Sequence, residues 1–264
     1  MNPPPIRFDD GAAYETYMGI WSQSVGDAFL RWLAPAPGWR WLDVGCGNAA
    51  FTEMLVERCA PAEVQGIDPA EAQIAFARTR LPAGAPAAFQ VGDAQALPWA
   101  DAHFDAAVMA LVIFFVPDPA KAVAEMVRVT RPGGSVSAYA WDVLGGGLPY
   151  AAMMEEIKAM GIALPAPPSE DASRLETMRS LWQDAGLVNV ETRTIEVQRS
   201  FESFERFWEI AQTGPRVAAR VAQMGEDERA HLRDGLRRRL PSVDAQGRLT
   251  YRAWANAIKG RVPG

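Results

Sequence analysis

Residues 41–55 read WLDVGCGNAAFTEML. Five residues suited to a buried strand, Arg40–Val44, run into a glycine turn, and the turn opens straight into a helical pattern. The same rhythm continues along the chain. Val64–Ile67, Ala87–Val91, Phe104–Leu111 and Ser135–Trp141 read as strands, alternating with helices at Ala49–Cys59, Ala70–Leu81 and Ala120–Thr130. Short turns between alternating elements predict a parallel sheet with helices on both faces, an α/β fold.

A helix over Ser22–Ala34 precedes this unit and ends at Pro35 and Pro37. After Trp141 the pattern changes to glycine- and proline-punctuated sequence holding one helical piece, Tyr150–Met160. A connection of that length inside a compact domain reads as a lid or an insertion. A helix at Ala172–Ala185 follows, stopped by Gly186, then a strand at Val188–Val197. Two or three helices lie between Phe201 and Leu240, and the last strand is Leu249–Ile258.

At 264 residues and 49% apolar, the chain has the material for one large α/β domain with insertions. Its formal charge of −6 disfavours a nucleic-acid partner. The basic stretch Arg233–Leu240 sits at the end of a helical segment opened by GEDE, as the helix dipole favours. The longest apolar run, Ala106–Val116, falls short of the roughly 20 residues that span a bilayer. The first residues lack the basic start and apolar run of a secretion signal. Cys46 and Cys59 form no disulfide framework and no metal-ligand spacing, so a reducing, cytoplasmic setting is expected, with no metal.

The glycine turn satisfies the G-x-G-x-x-A pattern of dinucleotide sites over Gly45–Ala50. That signal alone is weak. Asp43 stands two residues before the first glycine, where a carboxylate repels a pyrophosphate and attracts an ammonium group. Asp68, followed by Pro69, ends the next strand and suits ribose hydroxyls. Asp93 ends the third. A ligand with a cationic amino-acid end, a free ribose and an adenine-like ring describes S-adenosylmethionine better than NAD.

Four segments in order, WLDVGCGNAAFTEML, VQGIDPAEAQIAFAR, VGDAQALPWADAHFDAAVMALVIFFVPDP and VRVTRPGGSVSAYAWD, resemble the class I S-adenosylmethionine-dependent methyltransferases. The small-molecule type similar to ubiquinone/menaquinone biosynthesis methyltransferases fits best. The resemblance covers residues 40–142. It implies a Rossmann-like, doubly wound, seven-stranded sheet, mostly parallel with its last strand antiparallel. Residues 1–39 would form an N-terminal helical lid and 40–142 the cofactor core. Residues 143–170 and 200–245 would be insertions covering the acceptor, all in one domain over 1–264.

Position by position, the resemblance implies that Gly45, Cys46 and Gly47 pass beneath the methionine and ribose. Asp43 would face the amino group. Asp68, with Pro69, would hold the ribose, and Gln73 would border the adenine. Asp93, Ala94 and Gln95 would meet the adenine amino group, and Ala110 and Leu111 would close the methionine end. Tyr14, Tyr17 and Trp21 would fold over the cofactor, an aromatic face suiting a sulfonium. One residue departs from the family: Ala49 stands where glycine is usual, and its methyl could crowd the ligand.

Transfer from a sulfonium is an in-line displacement that alignment and a dry pocket largely promote. The chain has two histidines, His103 before the fourth strand and His231 in a charged helix. Asp142, just past strand five, is the best candidate for an ionisable group near the methyl, with His103 and Tyr150 in reserve. Phe114, Phe115, Trp141, Met153, Met154 and Met160 suggest an apolar acceptor pocket. The expected activity is methylation of a small, fairly apolar acceptor on oxygen or carbon, with S-adenosylhomocysteine as product. The sequence is compatible with a homodimer. Two other readings stay open here: a non-catalytic binder of the same cofactor, and an NAD-dependent oxidoreductase.

Overall fold

The computed structural model describes residues 15–264; Tyr14 lies outside them. A π-helical turn, Glu15–Gly19, runs into helix α1 (Ile20–Leu33). Then follow β1 (Arg40–Val44), α2 (Ala50–Cys59), β2 (Glu63–Asp68), α3 (Glu71–Arg80), β3 (Ala87–Val91) and β4 (Phe104–Ala110). The second half holds α4 (Pro119–Val129), β5 (Thr130–Trp141), α5 (Ala151–Ala159), α6 (Leu175–Asp184) and β6 (Val188–Phe201). It closes with α7 (Phe204–Ala211), α8 (Ala218–Ala222), α9 (Glu226–Arg239) and β7 (Leu249–Arg261).

The seven strands lie in the order β3-β2-β1-β4-β5-β7-β6. The first five are parallel, and β7 runs antiparallel to both β5 and β6. The expected sheet is therefore the observed one. Strand order reverses between β1 and β4, and at such a switch point the two loops part and leave a crevice. Register decides what stands at its edge. Asp43 pairs with Gly66, Asp68 with Val91 and Ala110 with Tyr139, so these strand ends finish level.

Alternation along β1 sends Trp41 to one face and Leu42 and Val44 to the other. Asp43 shares the face of Trp41, under α1 and α2, and Tyr139 of β5 belongs to that same face. The opposite face is covered by α4 and α6 through Val123, Met126 and Trp182. Helix α4 shows how locally the elements are specified. Asp118 caps it by accepting the Lys121 N–H at 3.0 Å, Pro119 fills its first turn, and Ala122, Val123, Met126 and Val129 form its buried stripe.

Several boundaries differ from expectation. Strand β5 begins at Thr130, taking in the RPGG segment, because Gly133 turns at φ +74° and its N–H bonds the Val262 carbonyl beside β7. Helix α6 starts at Leu175 after a 3-10 turn over Glu170–Ser173. Strands β6 and β7 reach Phe201 and Arg261, since each serves as the other's partner for nearly its whole length. Residues 143–170 and 200–245 meet at a buried carboxylate, Glu156 of α5, which pairs with Arg239 of α9. Among the described residues no helix is long and apolar enough to cross a membrane.

Candidate cofactor site

At the switch point lies a cavity of about 480 Å³. Its lining draws on the ends of β1 to β5, the starts of α1, α2 and α3, and the loop after β4. Asp43, Gly45, Cys46, Gly47, Asp68, Pro69, Gln73, Asp93, Ala94, Ala110 and Leu111, all expected at the site, meet there.

The glycine turn is shaped from behind and from below. Gly45 has φ +74°, and a Cβ on it would stand 2.5 Å from Cγ1 of Val112. Gly47 has φ +53°, yet a Cβ there would meet only Gln73 Oε1, at 3.9 Å, so the space above it is open. The first glycine serves packing and the second leaves room for a ligand. Gly45→Ala is expected to destabilise the protein by about 3 kcal/mol, combining left-handed strain with overpacking against Val112. Gly47→Ala is expected to cost only about 1 kcal/mol, the strain alone. Chemical denaturation of the two variants measures the difference.

The amides of this turn are already engaged. Gly45 and Cys46 both donate to the Ile67 carbonyl, at 2.7 and 3.0 Å, and Gly47 donates to Asp68 Oδ2 at 3.0 Å. A pyrophosphate site requires such amides to be free to face the anion. Here they face the neighbouring strand, and two carboxylates border the cavity instead.

Asp43 is fully buried at the cavity floor. Its Oδ2 accepts the Thr52 hydroxyl at 2.7 Å, while Oδ1 has no partner. Burial pushes its carboxyl up to about 7, the Thr52 hydrogen bond opposes this, and the nearby Asp68 adds to it. A buried carboxylate is stable only with a partner, so the open oxygen fits a ligand cation such as the ammonium of an amino acid.

Asp68 uses Oδ2 for Gly47 N–H and Oδ1 for Ala70 N–H at 2.9 Å. Burial raises its carboxyl, against those two bonds. Each oxygen keeps a lone pair for a hydroxyl, which suits a vicinal diol. Asp93 accepts the Gln95 amide at 2.9 Å and its side-chain NH₂ at 3.2 Å, so Gln95 steadies Asp93 from outside the lining. Arg128 holds the loop beyond by bonding the Leu97 and Trp99 carbonyls. Burial, then Asp43 and Asp68, push the Cys46 thiol far up, which leaves it a neutral packing group. The residues present thus fit the sulfonium cofactor implied by the sequence.

Besides Gln95, several expected site residues stand outside the lining. His103 lies in the turn before β4, its ring 4.7 Å from that of Phe104. That is the amino end of the strand, about 20 Å of strand rise from the cavity. Asp142 follows β5 into a turn, where it accepts Gly145 N–H at 2.9 Å and the Trp254 indole N–H at 3.3 Å. Tyr17 and Trp21 point away because they share one helical face with Val25, at four-residue spacing. That face is buried against Tyr150 and β7: Tyr17 stacks on Tyr150 at 4.6 Å, and Trp21 meets Tyr150 and Tyr251 edge-on. Tyr150 is committed too, its hydroxyl bonding the Tyr17 carbonyl and Arg199. His231 is exposed.

The apolar wall also differs. Phe115 lines the cavity, but Phe114, Trp141, Met153, Met154 and Met160 do not. Residues 143–170 and 200–245 contribute nothing to the lining and grip the outer face of α1. The missing wall comes from Gly19, Ser22 and Gln23 at the start of α1, Phe51 and Met54 of α2, and Tyr139 of β5. Gly26 draws α1 close: a Cβ there would stand 3.0 Å from the Met54 Sδ and 3.2 Å from the Tyr139 hydroxyl. An unexplained glycine inside a helical pattern was the one sequence mark of this contact.

Ala49 adopts φ +65°, the left-handed region, and not the helical dihedrals its neighbours suggest. Glycine relieves the strain of that conformation, which accounts for the usual residue there. The methyl is fully buried and lines no part of the cavity, so it does not crowd a ligand. Leu111 is likewise left-handed, at φ +65°, with its N–H on the Tyr139 carbonyl. A bulky residue so held stores about 1–2 kcal/mol of strain, a feature that gathers at functional sites.

Comparison with known proteins agrees with this geometry. Residues 42–138 match the family described as "Methyltransferase domain". A malonyl-[acyl-carrier protein] O-methyltransferase of Methylococcus capsulatus is 35% identical over 132 residues, 48% of each chain. A ubiquinone/menaquinone biosynthesis C-methyltransferase of Dinoroseobacter shibae is 39% identical over 111 residues, 41% of this chain and 44% of that protein. The matched region thus spans about half the length of these relatives. Haemonchus contortus phosphoethanolamine N-methyltransferase 2, solved with S-adenosyl-L-methionine, superposes with a TM-score of 0.61 at 21% identity. That superposition covers 97% of this chain and 58% of the other.

Proposed function

We propose that this chain is a class I S-adenosylmethionine-dependent methyltransferase, a reading supported by the match of residues 42–138 to the methyltransferase-domain family, and that it methylates a small, fairly apolar acceptor on oxygen or carbon. The supporting observation is the pair Asp43 and Asp68 beside a glycine turn whose amides are turned away from the cavity.

S-adenosylmethionine, when bound, supplies a methyl group on a cationic sulfur with a neutral leaving group. The protein's part is binding and alignment. Asp43 holds the ammonium end, Asp68 the ribose, and Asp93 with Ala94 the adenine edge. Leu111, Val112 and Phe115 keep water from the reacting end, where a low dielectric sharpens every charge interaction. The acceptor end carries no histidine and no lysine among the described lining residues. An acceptor that loses its proton readily, such as a phenol, an enol or an activated carbon, therefore suits the site better than one needing a strong base.

Calorimetric titration with S-adenosylmethionine, S-adenosylhomocysteine and NAD tests the cofactor. Micromolar binding of the first two is expected, with no NAD competition. Transfer of a tritiated methyl group to a set of phenols and quinols then tests the acceptor. NAD binding that excludes S-adenosylhomocysteine would overturn the proposal.

A further inference from the structure

The amino-acid end of the proposed cofactor carries two charges. Asp43 answers the ammonium; the carboxylate needs donors. No arginine, lysine or histidine lines the cavity among the described residues. The amides of Gly45, Cys46 and Gly47 are engaged with Ile67 and Asp68. What remains on this side of the cavity is the start of α1. Ser22 lines it, and its Oγ is buried without a hydrogen-bond partner. Ser24, by contrast, returns its hydroxyl to the Ile20 carbonyl at 2.7 Å, the usual recourse of a helical serine.

Several buried polar side-chain atoms lack partners among the described residues, and only Ser22 Oγ and Asp43 Oδ1 belong to residues lining the cavity. Buried groups left open are uncommon and need an explanation. Helical spacing places Ser22 on one face with Gly19 and Gly26, the face turned to α2 and Tyr139. This is the sheet's β4–β5 side, beyond Asp43 as counted from the adenine end. Gln23, exposed beside it, offers a second neutral donor.

Resting on the cofactor reading above, we infer that Ser22, with Gln23, binds the carboxylate of the cofactor's amino-acid end, a subsite made of neutral donors without a cation. The pair is one of complementary orphans: an acceptor in Asp43 for the ammonium and a donor in Ser22 for the carboxylate. The hydroxyl gains a charge-assisted hydrogen bond only when ligand is present.

The test is a titration cycle on the full chain. Wild type and Ser22→Ala are each titrated with S-adenosylhomocysteine and with S-adenosyl-3-thiopropylamine, which differs from it only in lacking the carboxylate. In wild type, loss of the carboxylate is expected to weaken binding about 10-fold or more, as for one hydrogen bond to a charged group. In Ser22→Ala the gap between the two ligands is expected to narrow several-fold, with S-adenosylhomocysteine alone weakened and Gln23 keeping the remainder. Removing an unpartnered hydroxyl should leave the melting temperature unchanged or slightly raised, which separates a binding effect from misfolding. Equal weakening of both ligands, or no change in either, overturns the inference while leaving the cofactor reading intact. Wild type that binds neither ligand removes both.

Discussion

Asp68→Ala is expected to weaken S-adenosylhomocysteine binding by at least 100-fold. Two hydrogen bonds from ribose hydroxyls to one carboxylate are worth about 1.5–3 kcal/mol each, and a factor of ten is about 1.4 kcal/mol. The carboxylate also organises the site before any ligand arrives, because it fastens Gly47 at the glycine turn and Ala70 at the entry to α3. The alanine variant leaves both N–H groups unpartnered and should lose about 1–3 kcal/mol of stability as well. Asp68→Asn separates the two effects. Its carbonyl can retain one of the two backbone N–H bonds, whereas its NH₂ cannot accept a hydroxyl. Stability nearer wild type with affinity still reduced at least 10-fold would assign the main role to the diol. Calorimetry and thermal denaturation on the same preparations read both quantities. Unchanged affinity in the alanine variant would remove Asp68 from the ribose site.

The second large effect concerns Asp43 and pH. Its carboxyl stands at about 7 in the folded, ligand-free protein against 3.8 for the free side chain, chiefly through burial. Between those values the folded state holds a proton that the unfolded chain has released. Stability from this group is therefore full below the unfolded value and is lost as pH rises from about 4 to 7. At about 1.4 kcal/mol per pKa unit the total is on the order of 4 kcal/mol. Wild type minus Asp43→Asn, measured by denaturation at pH 5 and pH 8, should show a little over half of that loss, about 2.6 kcal/mol, the rest having gone between about pH 4 and 5. The ligand reverses the sign. An ammonium partner favours the ionised carboxylate, so affinity for S-adenosylhomocysteine should climb up to tenfold per pH unit below 7 and level off above it. A flat affinity profile from pH 5.5 to 8 would exclude contact between Asp43 and the ligand's charge.

The strand-end acids are legible in the sequence for a physical reason. Asp43, Asp68 and Asp93 each follow a short apolar run, and parallel strands in register must end their runs at one edge of the sheet. Local pattern thus maps onto position without knowledge of tertiary contacts. Ser22 and Tyr139 have no such mark. Ser22 reaches the cavity because α1, a helix that precedes the whole sheet, docks across α2, and docking is decided by the fit of distant surfaces; Tyr139 reaches it from β5, on the face those helices cover. Tyr17 and Trp21 lie off the cavity for the same reason. Two buried faces exist on that helix, and sequence spacing separates them without saying which one meets the ligand. Ala49 is a third case. Its identity suggests a helix start, but closure of the glycine turn imposes a left-handed backbone that alanine only tolerates.

Helix α1 is in effect a party wall. One side belongs to the room where the cofactor would sit, through Gly19, Ser22 and Gln23, and the other to the inserted segments, through Tyr17 and Trp21. No residue of 143–170 or 200–245 lines the donor cavity, although Ser169 bonds the Val116 and Pro117 carbonyls in its wall. A lineage remodelling those segments can thus alter the approach to the methyl donor while inheriting its grip on the donor intact. What reaches across does so through this partition or through the Ser169 bonds to Val116 and Pro117.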